Sequence, residues 1–450
     1  LCLLCVFALA FIAAPYWTLP GPAWLWPITL LCTCVLGVVW SRCASAEWSI
    51  GRLARPDIVY VGLCGVALGW LHRKALHAGL PLLGDEDYHI KEVLHLCEAI
   101  VPVWLLLVPV LALVIWGAAK GCVSSRRNAA GIVLAACAMV AMGYLRLEGG
   151  MLRYPYLSRW FEALPVQLLS FQGRALYQEA LFRLVPFLSL ICFCGFLWAT
   201  LGQLSRAWRV LAVLSIATLP TLSNYASLLY LELPAIFLML HVCCRGEQMM
   251  TSEPGVVRHE PAWISILLLG FIKETTLPFI AAFIGMRFLW RLANMRSMLA
   301  LLAEVQLIVL LCIPMFTFLV FRSFGDCFRG YVLRPRNFTN PELYATLFGS
   351  WGSQFGPVIA FAGLGVICVA VKRQYAALSF WVAVIVLTTL FYVGEREEFL
   401  GYSRFNLYFL PPVIAAALWS FKVSGPAQWV LKAALPVLLV CNLYLSPVHA

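Results

Sequence analysis

Residues 356–393 read GPVIAFAGLGVICVAVKRQYAALSFWVAVIVLTTLFYV. Two apolar runs, 356–371 and 377–393, stand either side of a basic break at Lys372-Arg373. Each run approaches the roughly 20 residues that a helix needs to cross the hydrocarbon core of a bilayer. The apolar residues are continuous rather than alternating, so the runs read as helices and not as strands of a β-barrel. A Lys-Arg pair in so short a connection is the pattern of a turn at the cytoplasmic face of a membrane.

The pattern recurs in both directions. Further apolar segments stand at 2–15, 24–41, 57–71, 101–119, 129–145, 182–201, 209–220, 226–243, 262–272, 275–288, 298–320, 405–420 and 429–446. Several are short for a full span, so some are tilted, merged or re-entrant. The expected fold class is all-α: a polytopic transmembrane helical bundle of about 13 spans, with external loops that carry short amphipathic helices.

Composition agrees. Of 450 residues, 62% are hydrophobic and 12% are charged, the latter about half the share usual in a soluble domain. That excludes a soluble enzyme, a disordered tail and a nucleic-acid-binding domain. The net charge of +11 would suggest nucleic acid in a soluble protein. Here the Lys and Arg lie between apolar segments, which points to membrane lipids and an anionic ligand instead. The 17 Cys are scattered, mostly inside apolar runs, without a metal-type pair. They read as small packing residues.

Alternating sides divides the connections into two sets. The first contains 42–56, 120–128, 202–208, 244–261, 289–297, 372–376 and 421–428. Its basic clusters, Arg126-Arg127, Arg287/Arg291/Arg296 and Lys372-Arg373, place it in the cytoplasm. The second contains 72–100, 146–181, 221–225, 273–274, 321–355 and 394–404, and holds the longest loops and most of the acids. It faces the periplasm or lumen, and function is expected there. The expected organisation is additional N-terminal helices over 1–56, a main module over 57–420 and a C-terminal helix over 421–450.

In the loop 72–100, Gly84 is followed at once by Asp85, Glu86 and Asp87, then by His89, Glu92 and His95 at helical spacing. This reads as a short amphipathic helix at the membrane surface with acids at its start. Three consecutive acids exceed what one cap requires. A carboxylate there can act as general base on a hydroxyl acceptor; capping alone, or a divalent metal on Asp85, His89 and Glu92, are the alternatives. The loop 146–181 combines Arg153 and Arg159 with Tyr154, Tyr156 and Trp160, flanked by Glu148 and Glu162. Rings stack on pyranose faces and Arg grips phosphate in a fork; an interfacial aromatic belt would look the same.

Charges also fall inside apolar runs. Glu232 sits in LLYLELPAIFLML, and Lys273-Glu274 in LLLGFIKETTLPFI. A charge at a helix centre costs about 2.5–3.5 kcal/mol on insertion scales, so such groups pair or line a polar cavity. Lys273 reads either as aimed at a lipid phosphate or as part of an ion pair closing a helical hairpin. Residues 394–404, GEREEFLGYSR, put Tyr402 and Arg404 just outside the helix that begins FNLYFLPP, a depth at which Arg can hold a lipid phosphate. Asn337-Phe338-Thr339 forms a glycosylation sequon in the loop 321–355.

Together these pieces resemble the GT-C superfamily of integral-membrane glycosyltransferases. The resemblance is carried by GDEDYH in an external loop, EGGMLRYPYLSR, ALFRLVPFLSLI, LSIATLPTLSNYASLLYLELPAIF, FIKETTLPF and YSRFNLYFLPP, in that order over about 57–420. The chain departs from the family in its two leading apolar segments, and in the two, 101–119 and 129–145, that separate GDEDYH from the Gly-Tyr-Pro stretch. These leave open whether Glu148 or Glu162 joins Asp85.

The resemblance implies a transferase that moves a sugar from a polyprenyl-phosphate donor to a hydroxyl on a glycolipid, glycan or protein acceptor, with inversion. It implies Asp85 or Glu86 as the base. Asp87, His89, Tyr154, Tyr156, Trp160, Glu148 and Glu162 would bind sugar or acceptor. Lys273, Arg404, Arg153, Arg159 and Tyr402 would hold the donor phosphate. Phosphate is already a good leaving group, so no cofactor is required, while a divalent metal is compatible with the acids. The implied location is a bacterial inner membrane, or the endoplasmic reticulum membrane in a eukaryote. The rival reading is a transporter or lipid flippase, which would also use broken helices and buried charges; a relative that binds polyprenyl lipids without chemistry is a third.

Overall fold

The computed structural model describes residues 55–73, 90, 175–226, 228, 232–257, 260–294, 298–323, 334–395, 400, 403–421 and 426–445. The apolar segments expected at 2–15, 24–41, 101–119 and 129–145 lie outside the described residues. So does the GDEDYH stretch.

Every described element is a helix, and the fold is all-α. In chain order the helices are α1 (Arg55–Leu71), α2 (Ala175–Thr200), α3 (Arg206–Ala217), α4 (Pro220–Ala226), α5 (Glu232–Cys244), α6 (Gly246–Thr251), α7 (Pro254–Val257) and α8 (Pro261–Ile272). After a 3-10 turn, Glu274–Thr276, come α9 (Leu277–Asn294) and α10 (Met298–Ser323). A second 3-10 turn, Pro335–Thr339, leads to α11 (Pro341–Gly349), α12 (Trp351–Phe355), α13 (Val358–Val371) and α14 (Tyr375–Glu395). The chain continues through α15 (Ser403–Asn406), the 3-10 turn Leu407–Phe409, α16 (Leu410–Ser420) and α17 (Pro426–Leu445).

The expected segments and these helices agree closely at 57–71, 262–272, 298–320, 356–371 and 429–446. They differ at 226–243, read as one run. There α4 ends at Ala226 and α5 begins at Glu232, because an acid and then Pro234 suit the first turn of a helix better than its interior. By length and composition, Tyr375–Gly394 of α14 is long and apolar enough to cross a membrane. The pair Pro341–Phe355 and Val358–Val371 passes the same test together, but is bent by 101°.

Local chemistry explains that bend. Asn340 caps α11 by accepting a hydrogen bond from the Glu342 amide at 3.0 Å, with Pro341 as first helical residue. Gly356 ends α12 at φ 55°, ψ −148°, a region essentially closed to residues with a Cβ. The chain therefore turns sharply into α13. In the two short helices before the turn, Leu347 of α11 and Phe355 of α12 are buried while Phe348 of α11 is exposed. Short helices thus lie inside 334–355, part of the connection read from sequence as 321–355.

α5 is the central rod, packed on α2, α8 and α16. α9 packs on α14, α10 on α8, and α17 on α3. α13 and α16 form the most intimate pair, because Gly365 lies directly on the backbone of Ala416. Small residues that let helix backbones touch are a recurrent device in helical bundles lacking a strong hydrophobic drive. Among the described residues no cysteine forms a disulfide, and Cys64, Cys194 and Cys243 are buried in the core.

Among the described residues, polar contacts gather near the two termini of α14, Ala377 at one and Val393 at the other. At the first end, Glu247 Oε2 accepts from the Ala377 amide at 2.9 Å, Arg245 binds Glu260 at 2.9 Å, and Arg291 Nη1 donates to Thr251 O at 3.2 Å. Lys372 and Arg373 are exposed there. Arg287, read from sequence as part of a bare basic cluster, is instead 1% exposed and paired with a Glu304 that is fully enclosed. Its Nη2 donates to Glu304 Oε2 at 2.9 Å and to Ser252 O at 3.0 Å. Glu304 sits one helix away on α10, so the apolar run that hides it also neutralises Arg287. Glu304→Gln is expected to lower stability by about 3–5 kcal/mol, the cost of leaving a buried charge without its partner. Chemical unfolding of the purified protein checks this.

At the opposite end, Thr221 Oγ1 donates to Gln354 O at 2.9 Å, and Asn337 Nδ2 donates to Val393 O at 3.1 Å. Asn337 is buried by that bond, so the sequon noted above is not presented as a glycan acceptor.

Candidate functional site

Two of the residues expected to hold a donor phosphate, Lys273 and Arg404, meet at this second end. Each comes from a helix terminus. α8 is apolar apart from Ser265 through Ile272 and stops when Lys273 turns to extended geometry, φ −158°, ψ 145°. Thr276 secures the break: its Oγ1 donates to Lys273 O at 2.7 Å and to Leu269 O at 3.1 Å. The break expected at Lys-Glu-Thr-Thr is therefore present, with α9 resuming after it. Arg404 lies in the short α15, which Asn406 anchors by donating to Gln354 Oε1 at 2.6 Å and Ser350 Oγ at 2.8 Å.

The meeting point is Glu232, in the first turn of α5. Its Oε1 accepts from Arg404 Nε at 2.7 Å and also from Lys273 Nζ. Glu232 is fully enclosed, Lys273 is 2% exposed and Arg404 is 19% exposed. Two cations thus share one oxygen of one carboxylate at a junction of three helix ends. Lys273 is thus part of an ion pair with Glu232 of a different helix. Burying three ionised side chains together is costly unless they are mutually compensated, and Arg404 is the member that reaches the surface.

Aromatic rings wall the cluster. Thr275 and Tyr408 share a hydroxyl–hydroxyl hydrogen bond. The Tyr392 ring lies 4.9 Å from Phe405 and 6.3 Å from Tyr408, centre to centre. Trp351 packs on Phe409 at 5.1 Å. The surface helix α12 is thereby joined to the segment that carries Arg404.

Glu232 was legible in the sequence only as a charge inside an apolar run needing a partner. That its partners would be the two cations singled out elsewhere is a tertiary fact. Asp85, Glu86, Asp87, His89, Glu148, Arg153, Tyr154, Tyr156, Arg159, Trp160, Glu162 and Tyr402 lie outside the described residues. Among the described residues, no group of three or more His, Cys, Asp or Glu side chains is arranged to hold a metal ion. Comparison of the chain with protein families, curated proteins and solved structures gives no match.

Proposed function

We propose that the chain is a multi-pass membrane glycosyltransferase of about 13 spans, moving a sugar from a polyprenyl-phosphate donor to a hydroxyl of a glycolipid or envelope glycan. The observation that carries this reading is the convergence of Lys273 and Arg404 on Glu232 at the end of the bundle expected to face outward. Phosphate is the natural anion for an Arg–Lys pair at a bilayer surface.

The membrane setting is supported by the outer faces of the helices. Val59, Leu63, Val66 and Trp70 of α1, Leu299 and Leu302 of α10, Ile367 of α13 and Val440 of α17 are exposed. Large apolar side chains each gain about 1.5–3 kcal/mol on leaving water, so a surface built this way suits lipid. Glu232, Lys273, Arg287 and Glu304, by contrast, are buried inside. The host membrane would be a bacterial plasma membrane, or the endoplasmic reticulum membrane in a eukaryote.

In the proposed reaction the acceptor oxygen attacks the anomeric carbon as the bond from that carbon to the phosphate oxygen breaks. The acceptor proton passes to Asp85 or Glu86, and the polyprenyl phosphate leaves with the electron pair. Arg404 and Lys273 would stabilise the charge that grows on the departing phosphate, and Glu232 would hold the two cations at a common spacing before it arrives.

A lipid flippase is the second reading, favoured by the 101° break at Gly356. The two part on chemistry. Purified protein in lipid, given a labelled polyprenyl-phosphate sugar and membrane-extract acceptor, is expected to release polyprenyl phosphate in step with glycosylated acceptor. Donor that changes leaflet but stays chemically intact would favour the flippase.

A further inference from the structure

Glu232 uses its two oxygens unequally. Oε1 takes both cations, whereas Oε2 is buried and has no hydrogen-bond partner among the described residues. A polar atom stripped of water and left unmatched costs about 1–3 kcal/mol, more when charged. Such atoms are rare in folded proteins, and one that persists calls for a partner outside the chain, a water, an ion or a ligand group. Glu232 is fully enclosed, and Arg404, 19% exposed, is the member of the cluster that meets the surface.

The missing partner is a hydrogen-bond donor that arrives beside two cations. A fully ionised phosphate offers no donor and would be repelled by the carboxylate. A phosphate bearing a sugar fits both halves of the site: the anion meets Lys273 and Arg404 while a ring hydroxyl donates to the vacant carboxylate oxygen. We propose that Glu232 Oε2 is a sugar-hydroxyl acceptor, so that this cluster selects a glycosyl phosphate over a bare lipid phosphate. The inference rests on the reading that a lipid phosphate binds at Lys273 and Arg404.

The test is binding of polyprenyl phosphate, and of a panel of its hexosyl and pentosyl forms, to the full chain in lipid nanodiscs. It is run at pH 8, where a monoester phosphate (second pKa about 6) has mostly lost its own O–H donor. Wild type is expected to bind one glycosylated form about tenfold more tightly than bare lipid phosphate, the worth of one hydrogen bond to a charged group. In Glu232→Gln the amide oxygen stays with the cations and the amide nitrogen, a donor, replaces Oε2. The preference should then fall to within about twofold, whatever change in absolute affinity follows from loosening the two cations.

A ligand-side measurement avoids any folding defect of the variant. Among donors lacking one ring hydroxyl at a time, one should bind wild type no better than bare lipid phosphate. A preference that survives in Glu232→Gln, or deoxy donors that all bind like the parent, would overturn the inference while leaving the phosphate site standing. If neither lipid binds in a way that depends on Arg404, the phosphate reading itself fails and the inference with it.

Discussion

Arg404→Ala and Lys273→Ala are each expected to lower the turnover of sugar transfer by about 10²–10³-fold, the usual loss when one fixed group facing a developing anion is removed. Both side chains meet at a single carboxylate oxygen, so they act as one unit and the double variant should lose less than the product of the two. Arg404→Lys should recover only part of the rate, because an ammonium lacks the planar fork that grips two phosphate oxygens. The fall should appear in kcat at saturating donor and not only in KM, since the cations are asked to stabilise the leaving group. Stability separates this role from a purely structural one. Arg404→Ala leaves Glu232 paired with Lys273, so its unfolding midpoint should move far less than its activity.

Gly365→Ala is expected to destabilise the bundle by about 3 kcal/mol or more, at or beyond the upper range for overpacked cores. A Cβ at this position would lie 1.7 Å from Ala416 O and 2.5 Å from Ala416 C. Both are backbone atoms, so no side-chain rotation relieves the contact; α13 and α16 must part along their whole seam. α16 also packs against α5, whose first turn carries Glu232, so donor binding should weaken with the fold. Gly363 provides the control. It lies in the same helix, and a Cβ there meets nothing within 4 Å. Gly363→Ala should therefore be neutral or slightly stabilising, since Ala is favoured over Gly in helices by about 1 kcal/mol. Unfolding of the two variants side by side, in the same detergent, isolates the seam from helix propensity.

How far these features could be read in advance depends on whether they are local. The runs at 356–371 and 377–393 announced α13 and α14, because continuous apolarity and a basic break are local signals. Alternating sides is a reading that needs only chain order, and it assigns 273–274 and 394–404 to one side and 372–376 to the other. Arg287 was misjudged as a surface charge, since its neutralising partner Glu304 belongs to another helix. The Gly365–Ala416 contact was invisible for the same reason: any glycine in an apolar helix looks alike until its neighbour is known. Lys273 and Arg404 stood out as polar residues at apolar boundaries, but their union through Glu232 joins three distant segments, and spacing along the chain carries no trace of it.

The most direct test of the central claim is photo-crosslinking with a polyprenyl-phosphate-sugar analogue whose photoreactive group sits beside the phosphate, in membranes containing the full chain. The labelled peptides are located by mass spectrometry. The account predicts labels in 271–279 and 402–412, competed by unlabelled donor and lost in Arg404→Ala. Labels confined to the exposed apolar sides of α1, α10 and α17, and unchanged by Arg404→Ala, would contradict it.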